Sequence, residues 1–532
     1  MLEVTRDSVS VAIQVHPKAQ LVGLCGRVGE ERRVDREHRI AAAALRVARW
    51  LPWILLTVGF VACLAMSVSV VANRVVAPGE AEILHEASRI RHGLRLFVDA
   101  VDGQHEYAGP PSRGWVLYPP FTSWLVSHFP DQSALVLGRL VSLIAFVVAL
   151  AWPVVAAPRR NRQAAGLAAL FVGSIFVLWL FTSIIRPDPI AILLSCVLLE
   201  RVARLGRADV LVGVLASVVV LVKPNMCGAP IGVLLGSLLW SRAEDRSIAR
   251  RAVLAAAVTL FIGLTVLAVW SDGAFVEHFL RSFGHPWALA KLTSHILPRL
   301  TTVVGPFALA VWLLLSRRGE ASSRIMMTAL VTSLAVMCVT LSRFGSASNY
   351  WLEPLFIALV IVSKHARWPV GRRLSVQWTA AVLLTIQAAI PAYLAVDGVD
   401  DLRESVEADR RLLQRAKDRC AGIVRADQPG IEYELNGRVV AANFTLNHAI
   451  ETGHFSSNRF LEELFNPTTS CVITTNTGGD PFGGFIPSAR PLLAQQFELD
   501  SAMRNGSLYV RRNMDASHAE EGTSGAEARV SR

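Results

Sequence analysis

Long apolar runs alternate with short polar loops along most of this chain. Eleven runs approach the roughly 20 residues that a helix needs to cross a bilayer core. They are residues 51–73, 134–157, 164–185, 189–203, 208–222, 226–240, 252–270, 297–316, 325–341, 351–363 and 374–394. Those between 189 and 240 and at 351–363 are short for a span. The pattern predicts a mainly α fold, a polytopic transmembrane helical bundle of about 11 spans.

Arginine and lysine are divided unevenly between successive loops, and cationic loops stay cytoplasmic. With the N-terminus inside, the loops predicted to be cytoplasmic carry Arg159, Arg160, Arg162, Arg201, Arg204, Arg207, Arg242, Arg246, Arg250, Arg251, Arg317, Arg318, Arg324, Lys364, Arg367, Arg372 and Arg373. The short loops between them carry one cation each: Arg186, Lys223 and Arg343. Eleven spans therefore place the N-terminus in the cytoplasm and the C-terminal region outside.

Composition supports a membrane protein. The 532 residues are 52% hydrophobic with a mean hydropathy of +0.42, which is too apolar for a soluble chain. The net charge of +11 is scattered between apolar runs rather than gathered on one face, so nucleic acid is not an expected partner. The predominance of arginine over lysine is typical of a GC-rich bacterium. We therefore expect a multi-pass protein of the bacterial cytoplasmic membrane.

Four regions follow from the pattern. They are a cytoplasmic tail at 1–50, a transmembrane domain at 51–396 with its first outer loop at 74–133, an outer domain at 397–513, and a polar tail at 514–532 that we expect to be disordered. Within the first outer loop, apolar residues from Glu80 to Val98 recur every three or four positions, which predicts an amphipathic helix. The segment from Tyr118 to Leu125 is aromatic and too short to cross, as expected of an interfacial helix.

The outer domain has the composition of a small extracytoplasmic α/β domain. Its predicted elements are a helix at 402–420, strands at 422–424, 438–441 and 470–475, and helices near 458–465 and 489–504. Cys420 and Cys471 are the two cysteines of this region, where oxidation is permitted. We expect them to form a disulfide. The seven cysteines show no metal-ligand spacing.

Two carboxylates, Glu80 and Glu82, follow the first apolar run directly. A carboxylate at this position can take a proton from an acceptor hydroxyl or bind a divalent metal. At a spacing of two on a helix the side chains point apart, so their roles should differ. The alternative is that both are simply acids at a helix N-terminus, where they favour the helix dipole.

Three polar turns fall on the same predicted face as these carboxylates. Arg186 precedes Pro187 and Asp188, Lys223 begins a second turn, and Arg343 begins a third that includes Asn349 and Tyr350. Converging cations can hold a phosphate through charge-assisted hydrogen bonds. The alternative is that they are cations at helix ends whose heads reach the membrane surface. Similarly, Tyr118 and Trp124 suit either substrate contact or interface anchoring.

The order of these motifs resembles the GT-C superfamily of polytopic glycosyltransferases, in particular the protein O-mannosyltransferase and lipid A aminoarabinose transferase group. The resemblance rests on Gly79 to Ala87 after the first span, Pro119-Pro120-Phe121 with Trp124, Gly138-Arg139-Leu140 entering the second span, Arg186-Pro187-Asp188 and Asn349-Tyr350-Trp351. One departure is clear. The superfamily usually shows an Asp-Glu pair, and Gly79 stands where the aspartate would be.

The resemblance implies transfer of a sugar from a polyprenyl-phosphate donor to a lipid, glycan or protein acceptor, outside the cytoplasm and with inversion. Glu80 would be the general base, with Glu82 as its substitute, and Arg186, Lys223 and Arg343 would meet the phosphate. Asp188, Tyr118, Trp124, Asn349 and Tyr350 are further candidate substrate contacts. No cofactor signature is present, and a divalent metal at the carboxylates remains an alternative. A flippase of lipid-linked glycans and a non-catalytic envelope-assembly protein are the rival interpretations.

Overall fold

The computed structural model describes residues 43–44, 48, 50–72, 75–93, 96, 119–273, 275–276, 289–342, 348–366, 374–437, 461–462, 464–475 and 481–512. Most of the predicted tail at 1–50, the predicted strand at 438–441 and the stretch 514–532 lie outside these residues. The chain divides into two compact units, residues 1–54 with 369–386, and residues 55–368 with 387–532. The site described below belongs entirely to the second.

Helices dominate the described chain. In order they are α1 Trp50–Ala72, α2 Pro78–Arg91, α3 Phe121–Ser127, α4 Asp131–Ala156, α5 Arg162–Gly173, α6 Phe176–Thr182, α7 Asp188–Leu205, α8 Val210–Val222, α9 Gly228–Trp240, α10 Arg246–Trp270, α11 Leu289–Ile296, α12 Leu300–Leu315, α13 Ala321–Leu341, α14 Leu352–His365, α15 Leu374–Arg419, α16 Pro429–Asn436 and α17 Arg490–Gln496. Each of the eleven predicted runs coincides with one of these helices or, for 164–185, with two.

Six of the helical stretches are long and apolar enough to cross a membrane, and a bent pair makes a seventh. The pair is Arg159–Gly173 with Phe176–Thr182, which meet at 73°. At this break the indole N–H of Trp179 donates to the carbonyl of Gly173 over 2.6 Å, so a backbone group freed by the bend is satisfied. The four remaining predicted runs form the shorter helices α7, α8, α9 and α14. The predicted fold class, a polytopic helical membrane protein, is confirmed.

Several of the described loops meet one another at one end or the other of the bundle. At one end Asn161 donates to the carbonyl of Lys364, and Arg207 forms an ion pair with Asp245. The other end collects the loops near residues 75–80, 185–188, 223–225 and 348–351, and we call it the domain end. The backbone N–H of Val76 donates there to Glu434 of the C-terminal domain over 3.1 Å.

The helix predicted in the first outer loop begins at Pro78 and ends at Arg91, earlier than the expected Val98. Gly93 follows with a φ of 69°, a left-handed conformation that glycine adopts without strain and that is common after helix ends. The buried face of α2 consists of Ala81, Leu84 and Ala87. These pack against a cluster that includes Ile185, so the helix is anchored at the domain end.

Helix α15 joins two predicted elements into one. The last predicted span and the predicted helix at 402–420 form a single helix of 46 residues. Its far end packs Leu412, Leu413 and Ala416 against the sheet of the C-terminal domain. A disulfide joins Cys420 to Cys471, with Cα atoms 5.9 Å apart, and so links the end of this helix to the sheet. Such a bridge contributes about 2–4 kcal/mol of stability.

Within the described residues, four strands form the domain sheet: β1 Ile423–Ala426, β2 Thr469–Thr474, β3 Phe497–Met503 and β4 Gly506–Arg511, in the order β1-β2-β4-β3. β1 and β2 are parallel, and the other pairs are antiparallel. The helix predicted at 489–504 is wrong beyond Gln496, because the following residues form β3. A short turn at Arg504 and Asn505 returns the chain into β4, whose pairing supplies the backbone hydrogen bonds of β3.

Candidate active site

Glu80 lies in the first turn of α2, where its side chain is fully buried. Its Oε2 accepts a hydrogen bond from the backbone N–H of Ala77 over 2.9 Å, so it caps its own helix. Its Oε1 accepts from the backbone N–H of Ile185 over 2.8 Å. These contacts tie the start of α2 to the segment that precedes Arg186.

Arg139 of α4 meets the same carboxylate in a bidentate ion pair. Its Nε donates to Oε1 of Glu80 over 2.8 Å and its Nη2 to Oε2 over 2.7 Å. Neither side chain is more than 1% exposed. The guanidinium also donates to the carbonyl of Val70 near the end of α1 and to that of Val75 just beyond it. Glu80 and Arg139 therefore join the first loop, α1, α4 and the Ile185 segment, which is a structural arrangement.

Glu82 differs from Glu80 in its exposure and in its hydrogen bonds. It is half-buried and accepts no hydrogen bond from the described part of the chain. Burial raises the pKa of its carboxyl to about 7, with the positive charge of Arg186 acting in the opposite direction. A carboxylate with a pKa near neutrality is well suited to act as a general base.

Glu86 lies one turn after Glu82 on the same face of α2. Its carboxylate accepts a hydrogen bond from the hydroxyl of Ser123 on α3. Burial raises the pKa of Glu86 to about 8, and the neighbouring Glu82 also raises it. Two carboxyl groups one helical turn apart therefore both have a raised pKa. The sequence analysis did not select Glu86, although its spacing of four from Glu82 was a usable signal.

Arg186 places its guanidinium directly over Gly79. A Cβ atom at residue 79 would lie 2.9 Å from Nη2 of Arg186 and 3.2 Å from its Cζ. The Nε of Arg186 is buried without a hydrogen-bond partner among the described residues. The guanidinium also lies 5.7 Å from the ring centroid of Phe181. We call Gly79, Glu82, Glu86, Ser123 and Arg186 the Glu82 site.

Asp188, Lys223 and Asn349 form a second buried cluster at the domain end. Asp188 and Lys223 are an ion pair in which neither side chain is exposed. The amide of Asn349 donates to Oδ1 of Asp188 over 2.6 Å. Lys223 lies 5.6 Å from the ring centroid of Tyr350, whose hydroxyl accepts from Asn225 over 3.0 Å. Three predicted turns therefore meet, and the charge of Lys223 is balanced by Asp188.

The remaining predicted residues are Trp124, Tyr118 and Arg343. Trp124 is 49% exposed and stacks edge-on against His128 at 4.7 Å, an arrangement that suits an interface anchor. Tyr118 and Arg343 lie outside the described residues. No group of three or more histidine, cysteine, aspartate or glutamate side chains is placed to hold a metal ion in the described part of the chain.

Fold and site together define a multi-pass membrane protein with buried carboxylates and cations at one end of its bundle. No protein-family model matches the chain, and no curated protein matches it. Among solved structures it is similar to ArnT from Cupriavidus metallidurans bound to undecaprenyl phosphate, at 12% identity, with a TM-score of 0.53 over 87% of this chain and 98% of that one. The apo structure of the same protein is 14% identical, with a TM-score of 0.50 over 86% of this chain and 97% of that one. The chain has the ArnT fold, and the fold expected from the GT-C resemblance is confirmed.

Proposed function

We propose that this protein is a membrane glycosyltransferase that moves a sugar from a polyprenyl-phosphate donor to an acceptor at the domain end. The observation that carries the proposal is the Glu82 site. There the carboxylate of Glu82 accepts no hydrogen bond from the described residues, has a pKa near neutrality and lies beside the Arg186 guanidinium. The ArnT fold supports it, because one ArnT structure of this fold holds undecaprenyl phosphate.

The proposed reaction is a single displacement. Glu82 takes the proton of the acceptor hydroxyl while the hydroxyl oxygen forms a bond to the anomeric carbon. The bond from that carbon to the phosphate oxygen breaks, and polyprenyl phosphate leaves with one additional negative charge. Attack from the face opposite the leaving group inverts the anomeric centre. Glu80 was the base expected from sequence. Because the carboxylate of Glu80 already accepts four hydrogen bonds, we assign the role of base to Glu82.

Arg186 is the proposed phosphate ligand. Its guanidinium can donate two parallel hydrogen bonds to a phosphate, and it stabilises the charge that develops on the leaving group. Lys223 is balanced by Asp188 and so contributes less. We keep Lys223 and Arg343 as subsidiary donor contacts, and Asp188, Asn349 and Tyr350 as residues that position them. The polyprenyl chain would lie against the apolar helices.

A glycosyl-transfer assay tests the activity directly. Purified full-length protein is supplied with polyprenyl-phosphate sugars and a set of lipid, glycan and protein acceptors. We expect release of polyprenyl phosphate that depends on the acceptor. Movement of the intact donor across vesicles without any release would instead support a flippase. Binding of envelope proteins with neither activity would support an assembly protein.

Gly79 provides a second test, because a side chain there would meet the guanidinium of Arg186. Replacing Gly79 with Asp should place a carboxylate against Arg186, form an ion pair and compete with the donor phosphate. Hydrogen bonds to charged groups are worth about 1.5–3 kcal/mol, so we expect donor binding to weaken by roughly 10- to 100-fold. Donor titration of the Gly79→Asp protein measures this, with Gly319→Asp, where a side chain would enter open space, as the control. A rise in turnover would show instead that residue 79 is the base position.

The orientation of the chain is proposed from the arginine distribution. Reporters fused after residues 396 and 515 should show extracytoplasmic activity, and a reporter fused after residue 245 should show cytoplasmic activity. This orientation requires that each of the short helices α7, α8, α9 and α14 crosses the membrane. Cytoplasmic signals at both of the first two positions would reverse the domain end and contradict the proposed location of the site.

A further inference from the structure

Arg139, the partner of Glu80, also lines a cavity of about 570 Å³. One wall is apolar and comes from the end of α1 and the start of α4, including Val71, Leu135 and Val136. The opposite wall comes from α15 and carries Arg410, Arg411 and Lys417. We call this cavity the basic groove.

The charge of the basic groove is positive. Arg139 is one of its lining residues, but the carboxylate of Glu80 balances the charge of Arg139. Glu434 is the single acid in the lining, against three cations on α15. Arg411 and Lys417 form no ion pair with any described carboxylate. On another face of the same helix, by contrast, Arg415 and Arg419 both pair with Asp500, at 3.1 and 2.9 Å.

The groove also lies at the level where apolar helices meet a polar domain. Helix α1 ends at Ala72 and α4 begins at Asp131, while α15 continues beyond the bundle into the domain. Val136 in the apolar wall is 40% exposed. A small soluble anion would use only the basic wall. A lipid can use both, because its acyl chains meet the apolar wall while its phosphate meets the cations.

We propose that the basic groove binds the phosphate-bearing headgroup of an anionic membrane phospholipid. The lipid's glycerol and upper acyl chains lie against Val71, Leu135 and Val136, and its phosphate accepts hydrogen bonds from Arg411 and Lys417. This site is separate from the donor phosphate at Arg186, because no residue of the Glu82 site lines the groove. The inference concerns lipid binding and holds whether or not the protein transfers sugar.

The test is a binding measurement on the full-length protein, with phosphatidylglycerol as the probe and native mass spectrometry as the readout. Replacing both Arg411 and Lys417 with alanine should weaken phosphatidylglycerol binding about 30-fold, since each cation near an anionic headgroup contributes about 1 kcal/mol. Arg411→Lys with Lys417→Arg keeps both charges and should bind within a few-fold of the original protein.

Arg403→Ala is the matched control, since Arg403 is on the same helix and pairs with Glu407 at 3.5 Å outside the groove. Equal weakening in Arg403→Ala would show a general surface charge effect and overturn the proposal. Unchanged binding in the double alanine variant would overturn it as well. If inorganic phosphate displaces the lipid at comparable concentration, or if phosphatidylcholine binds as tightly, the groove does not select an anionic lipid headgroup.

Discussion

Replacing Glu82 with Gln should reduce turnover on the order of 10²–10⁴-fold, the usual cost of losing a general base. Glutamine keeps the size and polarity of the side chain but cannot take the proton of the acceptor hydroxyl. Because Glu82 accepts no hydrogen bond from the described residues, the substitution should leave the fold intact. Donor affinity should also remain, since the proposed phosphate ligand is Arg186. Single-turnover transfer and donor titration on the same preparation separate these two effects.

The pH dependence gives an independent readout. With a pKa of about 7, Glu82 is protonated and inactive at low pH, so the rate of transfer should rise as pH increases through 7. Arg186 lowers this pKa, and Arg186→Gln should therefore move the rise to higher pH while weakening donor binding. Glu86→Gln is the matched control on the same helix and should retain the rise. A Glu82→Gln protein with near-normal turnover would exclude Glu82 as the base.

Hydropathy predicted the bundle well because crossing helices depend mainly on local apolar length. At residue 397 the helix continues, since passing from an apolar to a polar environment does not end a helix. The periodicity at 402–420 simply continues that of the last span, and one helix results. Similarly, Phe497 to Met503 alternates weakly, and its strand conformation depends on pairing with Gly506–Arg511. Such pairing is a tertiary effect that overrides local preference.

The candidate site, too, depends on contacts between residues that are far apart in the sequence. The resemblance made Glu80 the expected base, with Glu82 as its substitute. Our proposal of Glu82 instead rests on the contacts of Glu80 with Arg139, which lies 59 residues beyond it, and with Ile185, which lies 105 residues beyond it. Gly79 was recognised as a departure from the usual aspartate. Its close approach to Arg186 is visible only in three dimensions.

Replacing Glu80 with Gln should destabilise the protein strongly, by about 3–5 kcal/mol, because it leaves the buried charge of Arg139 without its counterion. Thermal unfolding in detergent or nanodiscs should show a lower midpoint than in the original protein and in Glu82→Gln. The rate of transfer per folded molecule should fall far less than in Glu82→Gln. Replacement of Glu80 is thus expected to lower mainly the stability, whereas replacement of Glu82 is expected to lower mainly the rate of transfer.

A double replacement tests whether the loss arises from the ion pair itself. Adding Arg139→Met to Glu80→Gln removes the uncompensated charge and should recover part of the lost stability, since apolar replacements of buried pairs are often tolerated. Full recovery is not expected, because the hydrogen bonds from Arg139 to the carbonyls of Val70 and Val75 are also lost. A Glu80→Gln protein that unfolds normally yet transfers no sugar would return the general base to Glu80. Glu82 would then have only a supporting role.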